Sequence, residues 1–431
     1  MISRTNSVVA VLSLTLAGAC TADGEDVNIE PAESEIFVEE FLDAMPNGVP
    51  IPNANGFAAS AHTAGYVDLD NAFFTPQGTN GRHCGTCHAP EDGWGLNGPT
   101  ATLLFVLTDG MHPLFVNNRD TDTPTCDMTT TASRWSCTTM LRQGKFTRSI
   151  NVPATRQYDL TAVSDPFGVS TLSRMWFFRR VLPTANFNTA VINWDGSNNG
   201  VDMCDGLVRQ ARSNIIGAQQ GPNPPPEAAV QEIVDYEMGI GHAQIWVNGL
   251  GSTTAQQGKG GPIHALAALG QPPVAGRFDL FDAWDKGSPA RRQVYRGQEL
   301  FNTTNAASGR RCGGCHNSAN IGTNVNNAML NVGASNVQWA KPDMAVFTLT
   351  SRLDGSVTQS TDLGRAARTG LMADLNRFDT PNLRGLSARP SYFHNGIAQD
   401  LEAVVDFYEA SLGFDFTEQE EEDLVAFMKA L

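Results

Sequence analysis

Cys84-Gly85-Thr86-Cys87-His88 and Cys312-Gly313-Gly314-Cys315-His316 are two copies of one five-residue pattern, C-x-x-C-H. This pattern is the attachment signature of c-type haem. The two thiols add to the porphyrin vinyl groups, and the imidazole that follows at once reaches the iron as proximal ligand. A lone C-x-x-C would equally suit a redox disulfide or half of a zinc site. Two copies, each with its adjacent histidine, favour haem. The flanks repeat too: Gly81-Arg82 and Gly309-Arg310 precede the motifs, with the apolar pairs Phe73-Phe74 and Leu300-Phe301 further upstream. The chain reads as an internal duplication, one haem per copy.

Four cysteines stand outside the motifs. Cys126 and Cys137 are close enough in sequence for a disulfide in an oxidising compartment, which would leave Cys204 free; the sequence does not fix that connectivity. Cys20 closes an N-terminal segment in which Met1–Ser7 holds Arg4 and Val8–Ala19 is an apolar run. That run is too short to cross a bilayer and is built like a secretory signal. Ala17-Gly18-Ala19-Cys20 is similar to the end of a bacterial lipoprotein signal, but Leu16 sits one place early. Two readings stay open, a lipid anchor on Cys20 as the only membrane attachment, or plain secretion. Either places the protein in the periplasm or cell envelope of a Gram-negative bacterium.

The 431 residues carry a net charge of −16, of which −10 falls in the first 81 residues and −6 in the rest. Residues 21–55, acidic and proline-containing, read as a flexible tether. No basic patch offers to neutralise phosphates, which excludes nucleic acid as a partner. Beyond the N-terminal segment no run reaches the ~18 apolar residues of a membrane helix.

Helix signals dominate the remainder. Ser288–Phe301 has Pro289 just inside its start and leads to the second motif. Leu401, Val404, Val405, Tyr408 and Leu412 recur at helical spacing, and Thr417 with Glu420 forms a capping box ahead of Leu424, Val425, Phe427, Met428 and Leu431. Gly217–Pro226 reads as a loop and Gly110–Leu160 as a long decorated insertion. Strand signals are weak, so the expected class is mostly α with long loops.

Several longer stretches carry a family resemblance. They are Asn71–Trp94, Phe178–Gly196, the second motif region, Arg377–His394 (RFDTPNLRGLSARPSYFH), Leu401–Tyr408 and Asp423–Leu431. In wording, order and spacing the chain resembles the bacterial di-haem cytochrome c peroxidase and MauG family, from about Asn71 to its last residue. The resemblance implies two cytochrome c-like haem domains, 56–285 and 286–431, following a signal (1–20) and the tether (21–55). It implies two covalently attached c-type haems, one on Cys84, Cys87 and His88 and one on Cys312, Cys315 and His316. The N-terminal haem would be the peroxidatic site, with His88 as its proximal ligand. The C-terminal haem, held by His316, would be six-coordinate and relay electrons. Trp194, in the family's W-D-G turn, would stand between the two, although Ser197 replaces the arginine that usually follows.

The resemblance also places the sixth ligand of the second haem at Tyr408, where ordinary peroxidases carry Met and MauG carries Tyr; His394 would bond a propionate or backbone group. On the first haem's distal side, Leu104 occupies the place of the histidine that blocks many resting peroxidases, and His112 is the nearest later one. The catalytic glutamate is expected nine residues beyond Gln210-Ala211. Gln219 and Gln220 fall there, and the first carboxylate is Glu227, read as the distal acid–base group after a short insertion. His62, His83, His242 and His264 read as surface or core residues, with a distal role also open to His242. Some members bind calcium through backbone carbonyls and an asparagine, and that asparagine is unmatched in Arg179–Thr184. The expected partners are hydrogen peroxide and a small periplasmic cytochrome c or cupredoxin as donor, and many relatives are homodimers. Three functions follow as expectations: peroxide reduction, MauG-like oxidation of an organic or protein substrate, or electron carriage by two haems without turnover.

Overall fold

The computed structural model describes residues 43–117, 119–269 and 272–431. The expected signal, Cys20 and most of the tether lie outside these. The end of the tether does not: β1 (Ala44–Pro46) and β2 (Pro50–Asn53) are strands, so the ordered body begins before residue 56. Their prolines sit in short or edge strands, where a missing N–H is tolerated.

The second motif is surrounded by helices whose ends are written in the sequence. Ser288 caps the N-terminus of Pro289–Thr303, its hydroxyl accepting from the Arg291 N–H. Asp400 caps Leu401–Leu412 in the same way, and Gly413 ends it in the left-handed conformation at φ 77°. Thr417 and Glu420 form the expected capping box on Glu418–Ala430. Such caps satisfy N–H groups that the first helical turn leaves unpaired. Helices 289–303 and 418–430 cross at Gly297, where a Cβ would lie 1.8 Å from the Asp423 carbonyl oxygen, so only glycine permits the approach. Arg296 grips the Asp423 carboxylate with two bonds of 2.6 and 2.7 Å beside the crossing. Phe278, Phe281, Val294, Phe301, Leu424 and Phe427 fill the core beneath. Full burial of each such side chain stabilises by roughly 1.5–3 kcal/mol.

Around the first motif, Met203–Gly217 and Glu227–Gly239 pack Leu207, Ile215, Val230 and Val234 against Phe73, Trp94 and Cys84. Of the expected loop Gly217–Pro226, Gly217 closes the first of these helices and residues 218–226 form the loop beyond it.

The described residues contain ten α-helices, yet also eleven strands, more than a mostly α reading allows. β3 (Gly56–His62) and β8 (Ile240–Val247) pair antiparallel, flanked by β2 and by β9 (Gly251–Ser252). β4 (Tyr66–Asp68) pairs with β1, and β5 (Lys145–Asn151) with β7 (Arg174–Arg180). β6 (Tyr158–Ser164) pairs with β10 (Val346–Ser351), which β11 (Val357–Ser360) extends, so segments far apart in sequence share one sheet. The stretch read as a decorated insertion thus contributes β5 and part of β6. It also holds the Cys126–Cys137 disulfide, with a Cα separation of 5.8 Å, while Cys204 is free and exposed.

Candidate functional site

Each motif opens onto a cavity. The one at Cys84, Cys87 and His88 encloses about 1400 Å³ including its mouth, and the one at Cys312, Cys315 and His316 about 1270 Å³. His88 Nδ1 donates to the Trp94 carbonyl at 3.0 Å, and His316 Nδ1 donates to the Gly322 carbonyl at 2.6 Å. A ring whose Nδ1 is anchored this way presents Nε2 as its ligand atom. Burial depresses both imidazoles to about 4 against the smaller opposing effect of those carbonyls, so both are neutral and able to bind iron. The four motif thiols are free. Burial pushes Cys87 up to about 11 and Cys312 to about 12, and raises Cys84 and Cys315 as well. A reactive redox thiol needs surroundings that depress its pKa; these sites do the opposite. Paired thiols and an anchored imidazole at the wall of an open cavity fit a thioether-bound haem at each motif.

The walls differ. The first cavity is edged with polar groups: Arg148, Asp120, Gln210, Gln219 and Glu237. Burial pushes Glu237 up to about 8, and its Oε2 has no hydrogen-bond partner among the described residues. The second cavity is walled by Phe301, Leu330, Leu383, Val404 and Leu412, with Tyr408 on its lining. Burial, then the neighbouring Cys312 and Cys315, raises the Tyr408 hydroxyl above its ordinary range. His394 is buried in the same wall, stacked on Phe378 at 3.7 Å and paired with the Ser335 hydroxyl at 3.2 Å.

Trp194 lines the second cavity, while its neighbour Asn193 lines the first. The indole N–H donates to the Arg180 carbonyl at 2.8 Å, and the ring meets His394 edge-on at 6.1 Å. Next in sequence, Asp195 anchors a buried ion-pair chain. Arg179 bonds Asp195 at 2.7 Å and Asp362 at 2.7 and 2.9 Å; Arg148 on the first cavity and Arg368 also approach Asp195. His394 lies 3.9 Å from Asp362 at the other end. Asp195 stays ionised, because three guanidiniums together outweigh the cost of its burial.

Glu227 requires a correction. It begins the helix 227–239 with its side chain 65% exposed, pairs with Arg212 on the surface, and is absent from the cavity lining. The proline-rich insertion carries the chain outward before the helix starts, whereas Gln219 keeps the inward position. Gln219 is 1% exposed, accepts from the Gln77 N–H at 2.9 Å and donates to Asn214 at 3.1 Å. Glu237, missed from sequence, was legible there, since it continues the buried face of Val230, Ile233 and Val234. His83, read as surface or core, also lines the first cavity. His242 sits in β8, its Nδ1 paired with Ser60, whose hydroxyl oxygen accepts from the Trp94 indole. Leu104 packs on the cluster around Phe105 and Phe115, and His112 Nδ1 accepts from the Leu114 N–H. At the segment where calcium-binding relatives carry asparagine, Val181 is buried in hydrocarbon and offers no side-chain oxygen, so these residues do not fit that ion.

Two cavities with anchored C-x-x-C-H motifs define a c-type haem protein. No protein-family model matches the chain. Against curated proteins it is 31% identical over 156 residues to cytochrome-c peroxidase IdrP2 of Denitromonas iodatirespirans, covering 34% of this chain and 41% of that protein. It is 29% identical over 272 residues to the methylamine utilization protein MauG of Methylorubrum extorquens, covering 59% and 64%. The chain thus spans less than two thirds of the length of these relatives. A solved structure of a MauG-like protein associated with microbial copper homeostasis overlays 84% of this chain and 88% of its own, at 17% identity and a TM-score of 0.38. These relatives support the chain's resemblance to the di-haem cytochrome c peroxidase and MauG family. Among the described residues, no helix is long and apolar enough to cross a membrane.

Proposed function

We propose that this protein is an exported di-haem c-type oxidoreductase that uses hydrogen peroxide, with 56–285 as the peroxidatic domain and 286–431 as the electron-transfer domain. The observation that carries the reading is the pair of cavities, each with two free thiols and an imidazole fixed through Nδ1. When bound, haem supplies iron for peroxide cleavage at the first site and one-electron storage at the second. His88 and His316 are held neutral for ligation. Around the first cavity, Gln219 can hold a peroxide by hydrogen bonding, but an amide does not take its proton. Proton transfer therefore falls to another group, and Glu237 is the carboxyl whose buried pKa, about 8, lies near the operating pH. Trp194 gives an aromatic step beside the dividing wall.

Tyr408, on the lining of the cavity that holds His316, favours a MauG-like source of electrons, an organic or protein substrate, because a phenolate that ligated the iron would stabilise its oxidised state. A small cytochrome c or cupredoxin is the donor in the peroxidase reading. Electron paramagnetic resonance of the ferric protein, compared with Tyr408→Phe, tests the assignment: a tyrosinate signature that the variant lacks is expected, and a methionine-ligated signature rejects it. Peroxide consumption with and without a reduced small cytochrome then separates the two donors. Failure of the reduced protein to bind carbon monoxide at either haem would favour an electron carrier without turnover.

A further inference from the structure

The segment Phe378-Asp379-Thr380-Pro381 forms part of the partition between the cavities. Asp379 and Pro381 line both of them. The partition is tied to the Trp194 turn, since the Asp379 N–H donates to the Trp194 carbonyl at 3.0 Å. The Asp379 side chain is partly open because it faces the cavities, and the Thr380 N–H is the group that bonds its carboxyl. Among the described residues, no Lys, Arg or His lies within 4.0 Å of it. The contrast with Asp195 and Asp362 nearby is sharp, since both of those are clamped by Arg179.

We propose that Asp379 is a proton site held in common by the two haem pockets, taking up one proton when an electron enters either pocket and releasing it when the electron leaves. The proposal rests on the di-haem reading above. The balance is simple. A one-electron reductant converts ferric to ferrous iron, the carboxylate becomes a carboxylic acid with a proton from solvent, and the charge of the pocket is unchanged. A carboxylate on the wall of both cavities, with no cation of the described residues within 4.0 Å, favours such compensation, because Coulomb interactions strengthen as the dielectric falls. Burial pushes its pKa up to about 7, within reach of both protonation states at neutral pH. Beside the motif residues, the other ionisable groups are distributed unequally: Arg82, His83, Arg119, Asp120, Arg148 and Glu237 line only the first cavity, and Arg311, Tyr392, His394 and Tyr408 only the second. Asp379 is the carboxyl that both share.

The test is a spectroelectrochemical titration of the holoprotein between about pH 5.5 and pH 8.5, resolving each haem. Rising pH deprotonates Asp379, and the resulting anion opposes electron entry, so both midpoint potentials should fall. The limiting slope is about 59 mV per pH unit, the one-electron equivalent of a tenfold change in proton activity. Asp379→Asn should flatten both slopes, whereas Glu237→Gln should flatten at most that of the first haem. Haem content of each variant is checked by pyridine haemochrome absorbance. If Asp379→Asn does not load, the unaltered protein still decides, because a pH-independent potential at either haem overturns the sharing. A slope that survives intact in Asp379→Asn does the same. Peroxide turnover is not part of the readout, so a protein inert to peroxide would reject the proposed function and leave this result standing.

Discussion

The cavity at Cys84–His88 and the cavity at Cys312–His316 share size, free thiols and an imidazole fixed to a backbone carbonyl, yet their walls diverge. The first keeps several amides, three guanidiniums and two carboxyls of its own, whereas the second is mostly hydrocarbon with Tyr408 on its lining. The motif is the same at both sites; the walls are not. A polar, proton-handling wall suits a site where bonds to oxygen change, and an apolar wall suits a site where only electrons move. Function here is a property of residues far from C-x-x-C-H in sequence.

Three experiments stress this contrast. The largest effect is expected from replacing one motif's thiols at a time. Cys84→Ala with Cys87→Ala should abolish covalent haem at the first site alone, and Cys312→Ala with Cys315→Ala at the second alone, read as loss of one haem by intact mass. Loss of both from either pair would show that the two sites do not assemble independently. Arg179→Ala comes next. It removes the shared cation of two buried carboxylates, and breaking such a pair costs about 3–5 kcal/mol. Urea unfolding of the holoprotein should lose that much stability, and a change under about 1 kcal/mol would mean the network is solvated. The third is a gain: Gln219→Glu should speed the reaction with peroxide by roughly 10²-fold, the lower range of general acid–base catalysis. Glu227→Gln, remote from the cavity, should leave that rate within about twofold.

The helices near the second motif were legible because their signals are local. Ser288 and Thr417 announce their caps, and Val294, Leu424 and Phe427 recur at helical period. The strands were not legible. β3, Gly-Phe-Ala-Ala-Ser-Ala-His, is built around the small residues Ala58–Ala61, buried on both faces, so neither alternation nor β-branched composition marks it. β6 and β10 pair across nearly two hundred residues, a relation no local window contains. The site divided along the same line. The haem anchors are read from adjacent residues, whereas the Cys126–Cys137 pairing, left open by the sequence, is given by the structure. Which glutamate enters the first cavity depends on where a proline-rich loop leaves the body, and counting from Gln210 led to Glu227, the first carboxylate beyond it, without reaching Glu237.

The Cys126–Cys137 disulfide and the two C-x-x-C-H motifs, whose cysteines must be thiols when haem is attached, bear on how the protein is made. One polypeptide must hold two oxidation states of sulfur at once. A compartment that closes the first pair will also close C-x-x-C pairs, and a disulfide has no thiol to add to a vinyl group. Biogenesis therefore needs a reductant aimed at the motifs but not at the insertion, or haem delivery faster than oxidation. An expression host without such maturation machinery should yield a colourless chain with the correct sequence and the wrong sulfur chemistry.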